Sequence, residues 1–172
     1  MATLTYTSRE EIEVHRFSPL VTVGIPLAAI FFQVYVSSRF SFLKLFDIPL
    51  IVTIFFAVSR RNQLAGMLTG CAIGLTQDAL THLPIGIYGI SKTIVGYAAS
   101  SIGLKVDVDN PGSRFLMVFF FTFLHDGLYF IVRRHLLGLP SNWGTLHELS
   151  AGLANAVLAV VLFALLDQTK KR

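Results

Sequence analysis

A few ionisable residues interrupt the apolar segments of this chain, and their types and spacing could support chemistry. Asp78 follows Gln77 in one segment, Lys92 lies in the next, and His125 precedes Asp126 in a third. Two aspartates on different helices are what an intramembrane acid–base catalyst needs, whereas a lysine near an aspartate forms an ion pair. Because charges are costly inside a bilayer, we expect these side chains to face protein or a cavity.

The residues around the two aspartates do not favour catalysis. Asp126 is followed by glycine and Asp78 by alanine, without the flanking asparagine pattern expected of intramembrane aspartyl peptidases. Lys92 would also keep one aspartate ionised, whereas a catalytic pair must share a proton. No Ser–His pair, His–Glu metal helix or phosphate-binding loop is apparent in the sequence. We therefore predict a protein that is not an enzyme and has no catalytic residues, cofactor or metal.

The composition indicates a membrane protein. Hydrophobic residues make up 53% and charged residues 14% of the 172 residues, and 15 residues are phenylalanine. An average soluble domain is about 25% charged, and one of this size cannot hide so much apolar surface from water. The net charge is +4, but the basic residues occur singly or in pairs between apolar runs, so we predict no nucleic-acid partner. The single cysteine, Cys71, excludes a disulfide framework.

Apolar runs of about 20 residues, the length that crosses a bilayer, predict an all-α polytopic membrane protein with six transmembrane helices. The predicted spans are residues 17–36, 42–58, 62–80, 85–104, 114–137 and 147–166. The second span is the weakest: Asp47 lies in its first turns and Pro49 follows, so its helix is expected to begin near Ile48. Thr145 and Glu148 have the spacing of a capping box at the start of the sixth span.

The segments between the spans predict the orientation. With the N-terminus inside, the inner segments carry nine Lys and Arg residues and the outer segments carry four, so the positive-inside rule places both termini in the cytoplasm. Residues 1–16 contain a capping box at Ser8 and Glu11 and predict a cytoplasmic amphipathic helix on the membrane surface. Residues 17–166 form the predicted transmembrane domain, and residues 167–172 form a basic cytoplasmic tail.

Two of the predicted spans carry stripes of glycine. The third contains two overlapping GxxxG steps, and the fourth has glycines at intervals of seven residues. Lipid offers no hydrophobic drive for helix association, so small residues must allow close van der Waals contact between backbones. We predict that these glycines pack helices of the same chain on one another: Gly66, Gly70, Gly74, Gly89, Gly96 and Gly103. Docking of a partner's helix on one of these faces is the alternative.

Helical geometry places polar residues on the glycine faces. Gln77 and Asp78 lie near the stripe of the third span, and Lys92 lies between two glycines of the fourth. The four residues 81–84 link these helices as an antiparallel hairpin. We therefore predict an ion pair between Asp78 and Lys92, either direct or through water.

The fifth span carries a second polar group of residues. A stripe at i, i+4, i+7 and i+11 is formed by Thr122, Asp126, Tyr129 and Arg133. His125 lies beside this stripe, and Asn155 adds a polar group in the sixth span. Our interpretation is that the intramembrane polar residues satisfy one another and fix the geometry of the bundle. Contact with a partner or a ligand is the alternative hypothesis.

A family resemblance appears at these residues. The runs GCAIGLTQDAL at 70–80, PIG at 84–86 and SKTIVGY at 91–97 resemble MreD, the rod shape-determining membrane protein family of bacteria. The motif covers roughly residues 66–103. The rest of the chain agrees in its layout, through its length, its six spans, its cytoplasmic N-terminus and its second polar site at His125 and Asp126.

The resemblance implies a non-enzymatic component of the machinery that elongates rod-shaped bacteria, placed in the cytoplasmic (inner) membrane. Such proteins associate with MreC, with the actin-like MreB, and with the glycosyltransferase and transpeptidase that build side-wall peptidoglycan. The family's fold resembles that of the substrate-binding subunits of energy-coupling-factor vitamin transporters. It thereby implies a pocket that opens toward the outer leaflet, lined or braced by Gln77, Asp78, Lys92 and Asp126.

A vitamin-binding subunit of such a transporter is the second hypothesis, because it has the same size and number of spans. Those subunits use small residues in their first span to couple to a membrane partner. Ala28 and Ala29 are only a weak trace of that feature, and the outer loops look too short to cover a ligand.

Overall fold

The computed structural model describes residues 17–169 apart from positions 83, 105, 107 and 109, and these residues form six α-helices joined by short segments. The helices are α1 (Pro19–Arg39), α2 (Ile48–Arg60), α3 (Gln63–Leu80), α4 (Ile87–Gly103), α5 (Pro111–Ile131) and α6 (Thr145–Asp167). A 3-10 helix, Ser41–Leu45, precedes α2, and a π-helical turn, Val132–Leu136, follows α5. The predicted amphipathic segment 1–16 and the end of the basic tail, 170–172, lie outside the described residues.

The helices confirm the predicted all-α polytopic fold. Four segments are long and apolar enough to cross a bilayer: Pro19–Arg39, Phe42–Arg60, Pro111–Leu136 and Thr145–Asp167. Large apolar side chains cover the outside, with Leu20 and Leu146 each 83% exposed, as expected of helices that face lipid. α3 and α4 have 18 and 17 residues and do not meet the same standard of length and hydropathy, so their crossing of the bilayer stays a prediction.

α2 occupies the middle of the bundle. Every residue from Pro49 to Ser59 is buried, and the helix contacts each of the other five helices. Its Phe55 packs edge to face against Phe17 and Phe163, with ring centroids 5.8 and 5.2 Å away. Its 13 residues span only ~20 Å, less than the ~30 Å hydrocarbon core of a bilayer. A short helix surrounded on all sides leaves space at one of its ends.

The observed starts of three helices can be compared with those predicted from the sequence. α2 begins at Ile48, as predicted, because Asp47 caps it by accepting a hydrogen bond from the Leu50 amide at 2.9 Å. α5 begins earlier than predicted, since Asn110 caps it and a proline occupies its first position. The capping box predicted at Thr145 was wrong: Gly144 is the N-cap residue and makes no side-chain hydrogen bond.

The glycine stripes lie in contacts within the chain. α3 and α4 form the most extensive helix–helix contact, and a Cβ atom on Gly66 would lie 2.5 Å from the carbonyl oxygen of Gly96. A Cβ atom on Gly74 would collide with the backbone of α4 at Tyr88. Gly103 instead packs on α2, where an added Cβ would lie 2.9 Å from the Cα atom of Val58. Only residues without a side chain permit this separation of the helices.

Gly70→Ala should therefore destabilise the bundle. Its Cβ atom would overlap the Lys92 carbonyl group and approach the Cα atom of Thr93 within 3.2 Å. We expect the free energy of unfolding to fall by about 1–3 kcal/mol, the usual cost of overpacking, measured by denaturation of the purified protein in mild detergent.

Gly24→Ala is the matched control, because Gly24 also lies within a helix and an added Cβ there would meet nothing within 4 Å. This variant should be neutral or stabilised by up to about 1 kcal/mol through the higher helix propensity of alanine. Equal stability of the two variants would contradict the packing role of the α3 stripe.

Candidate functional site

A cavity of about 340 Å³ lies at the end of the bundle where α1, α3 and α5 end and α2, α4 and α6 begin. In the predicted orientation this is the outer end. Its polar lining includes Asp47, Gln77, His125, Asp126, Glu148 and Asn155. Its aromatic lining is formed by Phe46, Tyr88, Tyr129, Phe130 and Trp143. The cavity thus combines carboxylates, amides and an imidazole with several aromatic rings.

The lysine at the back of this cavity is paired with Asp47. Lys92 is fully buried, and its Nζ lies 2.7 Å from Asp47 Oδ2 and 5.3 Å from the centroid of the Tyr88 ring. The predicted ion pair between Asp78 and Lys92 was therefore wrong. The hairpin of α3 and α4 was predicted correctly, but α2 passes close to α4 and supplies the carboxylate instead.

Asp78 has a different task, which explains why it does not pair with Lys92. Its Oδ2 accepts hydrogen bonds from the amides of Gly86 at 2.8 Å and Gly89 at 3.1 Å, and its Oδ1 accepts one from Tyr88 at 3.0 Å. The first amides of a helix have no partner within the helix, and a negative charge there is favourable. Asp78 is fully buried, caps α4 from the end of α3, and is not part of the cavity lining.

Two side chains fix the segment that carries Asp47. Asn155 Oδ1 accepts from the Asp47 amide at 2.9 Å, and its Nδ2 donates to the carbonyl groups of Leu45 at 3.1 Å and Ala151 at 2.9 Å. Gln33 donates to the Phe46 carbonyl group at 2.7 Å. These contacts tie the start of α2 to α6 and α1, so Asp47 is held firmly beneath the cavity.

The polar stripe predicted on α5 lies in part along the cavity wall. Asp126 Oδ1 is 3.0 Å from His125 Nδ1, while His125 Nε2 is 3.9 Å from Asp47 Oδ2. The imidazole ring also stacks on Tyr88, with centroids 5.8 Å apart. Tyr129 accepts a hydrogen bond from Arg133 at 2.7 Å. The imidazole therefore lies between the carboxylates of α2 and α5, and only its Nδ1 is within hydrogen-bond distance of one of them.

Several residues that matter here were not identified as site residues from the sequence. An aspartate two residues before a proline is a common way to begin a helix, so Asp47 was interpreted only as a sign of where α2 begins. Glu148 was assigned to a capping box, yet it lines the cavity and lies beside Asp126. Gln33 carried no signal beyond being a polar residue in an apolar span.

The arrangement suits binding better than catalysis. Asp78 cannot join Asp126 in an acid–base pair, because backbone amides occupy both of its oxygens. In the part of the chain that the structure describes, no three His, Cys, Asp or Glu side chains are placed to hold a metal ion. A polar cavity with aromatic walls is the usual form of a small-ligand site.

One comparison with known proteins gives a match. A family model described as MreD, rod shape-determining protein MreD, matches residues 15–168. No curated protein and no solved structure matches the chain. The predicted likeness to the subunits of energy-coupling-factor transporters therefore stays a prediction.

The pairing of Lys92 leads to a test. Lys92→Met would leave the Asp47 carboxylate, whose side chain is 17% exposed in the cavity, without its counter-charge, and we expect a loss of up to about 3 kcal/mol in the free energy of unfolding in detergent. Asp47→Asn combined with Lys92→Met should recover much of that loss, because no charge remains to be compensated and asparagine still caps a helix.

Asp78→Asn combined with Lys92→Met is the matched control for this cycle. It also removes one negative and one positive charge but leaves the Asp47 carboxylate unpaired, so it should be less stable than Lys92→Met alone. Recovery of stability in this control, and not in the Asp47 combination, would restore the ion pair predicted from the sequence.

Proposed function

Because the chain belongs to the MreD family, we propose that it is a non-enzymatic membrane component of the bacterial cell-elongation machinery. In this role it maintains rod shape by helping to organise side-wall peptidoglycan synthesis with MreC, MreB, the glycosyltransferase and the transpeptidase. The family match over residues 15–168 is the observation that carries this proposal. A location in the bacterial inner membrane, with both termini in the cytoplasm, is part of it.

The division of polar and apolar surface supports an organising role. The interior is fixed by buried contacts such as those of Lys92 and Asp78, so the bundle can present a constant surface to its partners. α1 is the least enclosed of the four long apolar segments, with 17% of its most apolar window buried. It exposes Leu20, Phe31 and Tyr35. Such a face is available to the transmembrane helices of partners as well as to lipid.

A vitamin-binding transporter subunit is the second candidate function, because the outer end of the bundle contains a polar cavity of about 340 Å³. The family assignment favours the first candidate. The two functions differ in the proteins with which the chain must assemble, and that difference can be measured directly.

The test is a pull-down of the tagged chain from its native membrane in mild detergent, analysed by mass spectrometry. We expect MreC and the cell-wall synthases to be enriched over an untagged control, and depletion of the chain to turn rods into rounded cells. Re-expression of the chain should restore rods.

A different set of partners would contradict this proposal. Recovery of ABC-type ATPases together with a coupling membrane subunit, with rod shape unchanged on depletion, would assign the chain to vitamin uptake.

A further inference from the structure

The cavity at the outer end contains buried polar atoms that have no hydrogen-bond partner. They are Gln77 Oε1, Thr122 Oγ1 and His125 Nε2. The three residues are between 1% and 4% exposed, and all three line the cavity. Nearly all buried polar atoms in folded proteins are hydrogen-bonded, so each of these requires an explanation such as a bound water, ion or ligand.

The charges around these atoms favour a positively charged ligand. Asp47 is paired with Lys92 and Asp126 contacts His125, and the carboxyl groups of Asp126 and Glu148 lie within hydrogen-bond reach of each other. Two carboxyl groups this close can both be ionised only when a cation lies between them; otherwise they share a proton. An anionic ligand would add to the repulsion.

The walls indicate which kind of cation fits. Among the described residues no three ligating side chains are placed for a metal ion, whereas aromatic rings of Tyr129, Phe130 and Trp143 line the space. Aromatic faces attract organic ammonium groups, and the carboxylates and the Gln77 oxygen can accept their hydrogens. The protein already uses one neighbouring ring in this way, with Lys92 Nζ 5.3 Å from the centroid of Tyr88.

An apolar groove of about 260 Å³ adjoins the cavity. Gln33, Ser37 and Phe46 line both spaces. The rest of the groove is apolar, formed by Phe32, Val36, Phe42, Leu43, Ile48 and Leu158. A polar cavity continuous with an apolar groove matches an amphiphile, with its head in the first space and a hydrocarbon chain in the second.

We propose that the cavity binds the ammonium group of an amine ligand, and that this ligand is an aminophospholipid whose chain lies in the adjoining groove. Asp126 and Glu148 bind the ammonium group together with the Gln77 oxygen. Lys44, which is exposed and also lines the cavity, is placed to pair with the phosphate. A soluble amine would offer the same ammonium group, so the experiment separates these two sources.

The test uses the full chain in nanodiscs that contain equal amounts of phosphatidylethanolamine and phosphatidylglycerol with the same acyl chains. Lipids that remain bound are counted by native mass spectrometry. Phosphatidylethanolamine should be retained about tenfold over phosphatidylglycerol, since loss of a charge-assisted hydrogen bond typically costs an order of magnitude in affinity. Asp126→Asn and Glu148→Gln should each remove most of that preference.

Asp167→Asn is the matched control at the opposite end of the bundle. Because Asp167 lies 2.7 Å from Arg114 in an ion pair, this variant controls for a loss of stability as well as for the chemical change. It should leave the lipid preference unchanged. A second measurement needs no variant: the thermal unfolding of the unaltered chain in detergent is followed with added phosphatidylethanolamine and, separately, with added ethanolamine. Stabilisation by the phospholipid, with little effect of ethanolamine, is the expected result.

The remaining outcomes overturn part or all of the proposal. Stabilisation by ethanolamine, with no preference between the two lipids, would overturn the lipid and assign the cavity to a soluble amine. Equal retention of the two lipids with no response to ethanolamine would overturn the ammonium site. An equal loss of the lipid preference in Asp167→Asn and Asp126→Asn would also overturn the ammonium site, since the effect would not then come from the cavity.

Discussion

A fully buried lysine in a membrane bundle needs a counter-charge, and the arrangement around Lys92 follows from that requirement. Its partner, Asp47, is also the residue that begins α2, so a single carboxylate joins α4 to the start of the central helix. α2 begins directly after that carboxylate and has only 13 residues. The space above its first turn is the cavity, with Asp47 in the lining.

The close packing of α3 on α4 meets a second requirement. Glycine at positions such as 66 and 74 allows the two backbones to touch, and this brings Asp78 to the first amides of α4. Three backbone donors that would otherwise be unpaired are thereby satisfied by a neighbouring helix instead of water. The same contact fixes the position of α4 and, with it, the position of Lys92. Helix packing and charge pairing therefore depend on each other.

The sequence predicts the elements and the faces better than the pairings. Apolar runs and glycine spacing identify six helices, and helical geometry correctly directs Asp78 and Lys92 toward protein. The pairing between them failed because the sequence shows which helices are adjacent in the chain, but not that α2 would pass within reach of Lys92. For the same reason, Asp47 was used only to predict where α2 begins. Its position depends on contacts with Asn155 and other residues far away in the sequence.

The hydroxyl of Thr122 shows that the unsatisfied side of the cavity differs from the rest of the bundle. The hydroxyl groups of Thr53, Thr69, Thr76 and Thr93 all donate to the carbonyl group four residues earlier. This is the ordinary way for a threonine in an apolar helix to satisfy its donor. Thr122 is 1% exposed and lies on the same kind of helix, yet it makes no such bond.

An unpaired buried group of this kind costs about 1–3 kcal/mol. Gln77 and His125 carry similar costs in the same place, and the polar groups of Asp78 and Asn155 nearby are well satisfied. Arg133 Nε is likewise without a partner outside the cavity, but three such atoms share this one wall. Bound water or the proposed amine ligand would complete their hydrogen bonds.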